Sequence, residues 1–174
     1  MATLELELEL SYLAASIPQG LETCAHKDLM DVYFPANTQH AKLRIRQKGD
    51  QFEFTKKTQV DPNDAGAQNE ENVELTSEEF AALAEGNGRK LTKTRYYLPY
   101  MGRTAEVDVF SGALKGLVII EFEFDTPEEK EAFIKPEFCL VDVTQEDFIA
   151  GGVLAGKSYE DIQTELERFN YVAL

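Results

Sequence analysis

Cysteine, positive charge and long apolar runs are all scarce in this protein, and each shortage excludes something. Two cysteines, Cys24 and Cys139, are too few for a disulfide framework, and no metal-type spacing accompanies them. A cytoplasmic setting with free, buried thiols is the expectation. No apolar stretch is long enough to span a bilayer, and the N-terminus lacks a basic start followed by an apolar segment, so neither membrane span, signal nor anchor is expected. Lysine and arginine together number 17 against 32 aspartates and glutamates, for a net charge of −15. Binding of a nucleic acid polymer leans on an excess of cations over phosphates, and that deficit argues against it. His26 and His40 fall near expected loops and read as surface residues.

The few cations are concentrated. Lys42, Arg44, Arg46 and Lys48 fall in one strand-like segment, Lys56 and Lys57 in a second, and Lys93 and Arg95 in a third. A small, concentrated positive field inside an acidic protein suits a small polyanion better than a duplex.

The same segments alternate with period two, the mark of a half-buried strand. Leu4-Glu5-Leu6-Glu7-Leu8-Glu9-Leu10 puts glutamates on one face and leucines on the other. Lys42, Arg44, Arg46 and Lys48 alternate with Leu43 and Ile45. Lys93 shares a face with Arg95, Glu106 with Asp108, and Glu121 with Glu123. One such face alone is explained by solvation or by cross-strand pairs. Several, sorted by sign, point to a site.

A protein of 174 residues is expected to form a single domain over 1–174 with a real core. Strands are expected over residues 3–13, 31–34, 41–47, 51–58, 70–75, 91–100, 104–110, 117–124 and 138–143. A short helix is expected over 21–30 and a mobile loop over 61–69. Thr76 with Glu79, and Thr126 with Pro127, mark helix starts. A helix is expected to begin at 144 and run towards Gly151-Gly152, and an amphipathic one covers 158–169. Hairpins with inserted helices give an α+β class, an eight-stranded antiparallel closed β-tunnel with helices packed outside. Helices then cover the apolar faces (Leu4, Leu6, Leu8, Leu10, Val107, Val109, Ile120, Phe122) from outside. The charged faces meet in the lumen, where at an effective dielectric of 20 two like charges ~4 Å apart repel by about 4 kcal/mol. Such a lumen is tolerable if wet, cross-paired or filled by a ligand of matching charge.

In order along nearly the whole sequence, the motifs resemble those of the CYTH superfamily, the triphosphate tunnel metalloenzymes. Glu7-Leu-Glu9-Leu-Ser11-Tyr12-Leu13 is similar to the E-x-E-x-K-(F/Y)-L signature. Leu43-Arg44-Ile45-Arg46 resembles its L-R-I-R strand, Thr55-Lys56-Lys57 its T-x-K strand and Lys93-Thr94-Arg95-Tyr96 its K-x-R-(Y/F). Glu106-Val107-Asp108, Glu121-Phe122-Glu123 and Asp142-Val143-Thr144 resemble its E-x-D, E-x-E and E-V-T elements. The resemblance implies metal-dependent hydrolysis of inorganic triphosphate or a small organic triphosphate. It implies that Glu7, Glu9, Glu121 and Glu123 hold Mg²⁺ or Mn²⁺, and that Arg44, Arg46, Lys57, Lys93 and Arg95 hold the triphosphate. Glu106 and Asp108 would be catalytic, binding a second metal, activating water or orienting the cations. Adenylate cyclase chemistry on the same fold and non-catalytic polyphosphate binding stand as alternatives. Two positions depart from the pattern: the signature lysine is Ser11, and the family's central E-x-E strand reads Glu70-Glu71-Asn72. At Lys56-Lys57, alternation with Phe52 and Phe54 places Lys57 in the lumen. Oligomeric state is left open.

Overall fold

The alternating segments join into one antiparallel sheet of nine strands in the computed structural model, which describes residues 3–174. The strands are β1 (Thr3–Ala14), β2 (His26–Phe34), β3 (Leu43–Lys48), β4 (Gln51–Asp61), β5 (Asp64–Leu75), β6 (Lys90–Tyr100), β7 (Arg103–Phe110), β8 (Val118–Phe124) and β9 (Cys139–Asp142). Eight follow the order β5-β4-β3-β2-β6-β7-β8-β1, and pairing of β1 with β5 closes the circle. Closure removes the exposed edges that an open sheet would present. β1 is long enough to serve several partners. Residues 3–8 pair with β5, residues 8–13 with β8, and residues 12–14 with β9.

Among the described residues, four helices surround the barrel: α1 (Ser77–Ala84), α2 (Pro127–Glu131), α3 (Gly151–Leu154) and α4 (Tyr159–Glu167). None is long and apolar enough to cross a membrane. The expected start signals operate. The Thr76 hydroxyl accepts from the Glu79 N–H, and the Glu79 carboxylate accepts from the Thr76 N–H. Ser158 and Asp161 form the same reciprocal box at α4, and Thr126 caps α2 ahead of Pro127.

Apolar side chains fall into three groups. Phe80 and Ala84 of α1 cover Val32 and Ile45 on the outer face of β2 and β3. Leu8, Val107, Ile120 and Phe122 are covered from outside by Phe133, Phe138 and Cys139. The third group closes one end of the barrel. Leu13, Tyr33, Leu91, Phe110 and Ile119 continue the inward faces of their strands beyond the charged positions. There they pack against Leu154, Ile162, Leu166 and Tyr171. The inner wall therefore changes from charged to apolar along its length, and the C-terminal helices seal the apolar end.

Four expectations need correction. Residues 21–30 form only a short 3-10 turn (Leu21–Thr23), and β2 starts at His26, because Leu29, Asp31 and Tyr33 alternate with Met30, Val32 and Phe34 in strand fashion. Residues 61–69 are mostly strand rather than mobile loop. The Asp61 carboxylate accepts from the Asn63 N–H and tightens the turn, leaving β4 and β5 paired to within a few residues of the tip. Residues 144–150 turn through a 3-10 segment (Asp147–Ile149) before α3, not through one continuous helix. Helices also leave part of β1 uncovered, with Leu6 60% exposed. Cys139 is buried and Cys24 only partly so; both are free.

The seam of the barrel rests on Gly66. A methyl group there would lie 2.4 Å from the Glu9 carbonyl oxygen and 2.7 Å from the Thr144 methyl. Backbone at that distance cannot yield without separating β5 from β1. Gly66→Ala is therefore expected to lower unfolding free energy by about 1–3 kcal/mol, the usual cost of overpacking, read from urea midpoints.

Candidate functional site

Side chains of the inward faces line a cavity of about 540 Å³. Arg44, Arg46, Lys57, Lys93 and Arg95 come from β3, β4 and β6, while Glu7, Glu9, Asp108, Glu121 and Glu123 come from β1, β7 and β8. Glu106 reaches the acidic mouth of the barrel, in a recess shared with Glu7, Glu123 and Asp125. Every site residue expected from sequence thus faces the same interior or its rim. The inward assignment of Lys57 holds, while Lys56 is exposed. The side chain of Glu5, two residues before Glu7 on the same face of the sequence alternation, lies outside the described residues.

The lumen is cross-paired. Arg95 is the hub: its Nε donates to Asp108 at 2.6 Å, its Nη2 to Asp108 at 2.6 Å and to Glu121 at 2.5 Å, and its Nη1 to Glu106. Lys93 also donates to Asp108, to the oxygen that Arg95 Nη2 reaches. Lys57 bridges Glu7 at 2.5 Å and Glu70 at 3.1 Å. Arg46 is gripped by Asp31 through two parallel bonds of 2.6 and 2.7 Å. Neither Asp31 nor Glu70 was among the expected site residues, yet both are buried here. Their signal was present: Asp31 shares the inward face of β2 with Tyr33, and Glu70 shares that of β5 with Gln68.

Two groups stand outside this pairing. Arg44, 8% exposed, donates to the Thr55 hydroxyl at 3.3 Å; its Nε has no partner, and no acid forms an ion pair with it among the described residues. Opposite it in character are Glu9 and Glu123, direct neighbours across β1 and β8, with no ion-pair partner among the described residues. Like carboxylates set directly opposite repel. Burial pushes Glu9 up to about 7; Lys57 opposes this, while Glu121 and Glu7 add to it. Burial also raises Glu7 and Glu123, with neighbouring carboxylates contributing to both. Among the described residues, no three acids already converge as a ready-made metal cage.

Paired groups shift the other way where pairing outweighs burial. Burial would raise Asp31, but Arg46 prevails and holds it well below its usual range. Arg95 and Lys93 likewise overcome burial to bring Asp108 down to about 2. Lys57 and Arg44 do the same for Glu70, also to about 2. Lys93 is the exception, since burial lowers it more than Asp108 restores it.

Asn72, the amide in place of a family carboxylate, accepts from Thr55 at 2.8 Å and donates to Glu70 at 2.8 Å. A carboxylate there would meet Glu70 as a second anion at hydrogen-bond distance. Ser11 is buried beside Glu121 in the β1–β8 register, and its N–H donates to the Thr144 hydroxyl at 3.0 Å.

The raised carboxylates have a signed consequence. A native pKa of about 7 for Glu9, against 4.5 ordinarily, means that its contribution is full below pH 4.5 and lost as pH rises through 7. Asp108 and Glu70 titrate below this window. Between about pH 5 and 7.5, wild type is expected to lose about 1–3 kcal/mol relative to Glu9→Gln, which cannot titrate. Urea midpoints of both proteins across that range check this.

No family model matches the sequence. The inorganic triphosphatase of Nitrosomonas europaea is 31% identical over 144 residues, covering 80% of this chain and 90% of that protein. A crystal structure of an inorganic triphosphatase superposes with a TM-score of 0.65 at 28% identity, covering 87% of this chain and 95% of the other. A candidate adenylate cyclase from Bacillus halodurans shares the fold, with a TM-score of 0.55, 21% identity and coverage of 92% and 97%. With the ordered motifs converging on one charged lumen, the chain belongs to the CYTH superfamily, the triphosphate tunnel metalloenzymes.

Proposed function

We propose that the lumen hydrolyses inorganic triphosphate or a small organic triphosphate with the help of Mg²⁺ or Mn²⁺. The observation that carries this reading is Arg44, a buried guanidinium that forms no ion pair among the described residues. A buried charge without a direct ion pair is costly, and an anion seated beside Arg44 lowers that cost. The name of the N. europaea relative supports triphosphate as that anion.

The carboxylates fit a hard divalent cation, which prefers oxygen donors. Glu9 and Glu123, facing each other without a cation partner among the described residues, gain most from one, with Glu7 and Glu121 as the remaining ligands. A bound ion would shield phosphate oxygens and favour in-line attack. Arg44, Arg46, Lys57, Lys93 and Arg95 orient the triphosphate and stabilise charge on the transferring phosphoryl group, with Arg44, whose Nε is unpartnered, the one best placed to offer a fork. Water attacks the terminal phosphorus, the bridging P–O bond breaks, and its electron pair leaves with pyrophosphate. Asp108, enclosed by Lys93 and Arg95, positions cations. Glu106 stands at the more open rim and receives the proton of the attacking water.

Phosphate release from inorganic triphosphate is expected with Mg²⁺ or Mn²⁺ and is expected to stop with chelator. Arg44→Ala is expected to lower kcat/KM by about a hundredfold or more, the scale for losing one transition-state donor. No metal-dependent release from inorganic triphosphate, ATP or thiamine triphosphate would sink the hydrolase.

Ser11 supports a second reading, a tunnel that binds polyphosphate without turning it over. Its hydroxyl lines the cavity where the signature places a cation. Ser11→Lys separates the two: a rise in rate of about tenfold or more at unchanged affinity marks a weakened enzyme. An unchanged rate shows that the serine is already accommodated.

A further inference from the structure

One buried acid in this lumen sits on the wrong side of the charge pattern. β2 lies between β3 and β6, so Asp31 is enclosed by the strands that carry Arg44, Arg46, Lys93 and Arg95. It is 1% exposed, directly opposite Arg46 in the β2–β3 register, and both its oxygens are taken by Arg46 Nε and Nη2. An anion in the middle of an anion site opposes ligand binding by simple repulsion. Packing alone does not require it, because the neighbouring inward residues Leu29 and Tyr33 fill the same face with neutral side chains. What Asp31 adds, and Leu29 and Tyr33 do not, is a clamp on a guanidinium fork. With Nε and Nη2 fixed, Arg46 presents one remaining edge to the lumen in a single orientation, whereas Arg44, two residues away on the same face, has no such clamp.

We infer that Asp31 is a positioning residue of the proposed triphosphate site, orienting Arg46 for the transition state while its charge restrains ground-state binding. Interactions that hold substrate and transition state equally add nothing to the rate once substrate is bound. A freed Arg46 would grip resting triphosphate more strongly but would no longer be aimed at the developing charge. The inference rests on the anion-site reading above.

The test uses the intact protein and inorganic triphosphate, with affinity from calorimetry without metal and kcat and KM from phosphate release with Mg²⁺. Asp31→Asn keeps the shape and removes the charge. Its affinity is expected to tighten about tenfold and its kcat to fall about tenfold or more. Asp31→Glu keeps the charge and displaces the fork, so its affinity should stay within about threefold while its kcat also falls about tenfold. A purely structural role predicts the opposite pattern: weaker binding and lower kcat together, tracking a lower Tm, and that result overturns the inference. So does an Asn variant with affinity and kcat both unchanged. Should the Asn variant fail to fold, the Glu variant decides alone, and wild-type kcat or weakened binding there overturns it. Wild type that binds no triphosphate defeats the site reading itself, and this inference with it.

Discussion

Charge neutralisation across a closed ring of strands is the constraint on which the rest of this molecule depends. Closing the sheet removes its edges but forces charged faces from every strand into one small volume. Arg95, shared among Asp108, Glu121 and Glu106, shows how this is met. Arg46, Lys57, Lys93 and Arg95 each have at least one carboxylate within reach, and each pairing crosses from one strand to another. Most of these pairs join neighbouring strands, but Lys57–Glu7 and Arg95–Glu121 each skip one, tying strands that share no backbone hydrogen bonds. Buried pairs of this kind add little net stability compared with apolar packing, but removing one partner is expensive. Their value lies in fixing which charge sits where.

The pairing is incomplete in two complementary ways. On one wall a guanidinium has no ion pair, and on the other two carboxylates face each other without one among the described residues. An apolar lining would have been simpler to build and more stable. What remains unbalanced has the signs needed to take an anion and a cation together. The amide of Asn72 belongs to this arrangement: it passes a relay of hydrogen bonds from Thr55 to Glu70 where another carboxylate would have added a further like charge.

Much of this was legible in the sequence, because a period of two leaves little freedom about which residues share a face. Glu7 with Glu9, Arg44 with Arg46, and Lys93 with Arg95 all point inward as their alternation requires. The helix starts at Thr76 and Ser158 were equally plain, since capping is local chemistry. What escaped was set by partners distant in sequence. The acid at Asp31 looked like the start of a strand, and only its position opposite Arg46 gives it a role. Polar, glycine-bearing residues 61–69 looked like a loop, and pairing with β4 and β1 makes most of them strand. The apolar end of the lumen was hidden for the same reason: Leu13, Leu91 and Phe110 gain a common meaning only when the C-terminal helices reach them.

The split partnership of β1 bears on how such a protein is made. This strand leaves the ribosome ahead of the other eight, carrying carboxylates of the lumen, yet its partners are β5, β8 and β9, the last of them ending at Asp142. Its charged face thus stays in water through most of synthesis, where like charges cost little. Non-local pairing of this kind is slow to form, and a waiting strand edge invites wrong partners. Glutamates repeated along one face make β1 a poor match for a second copy of itself, since in-register self-pairing would stack like charges. The acids that crowd the finished lumen therefore also act as a safeguard during synthesis, keeping the first strand unpaired until β5 and β8 arrive to enclose it.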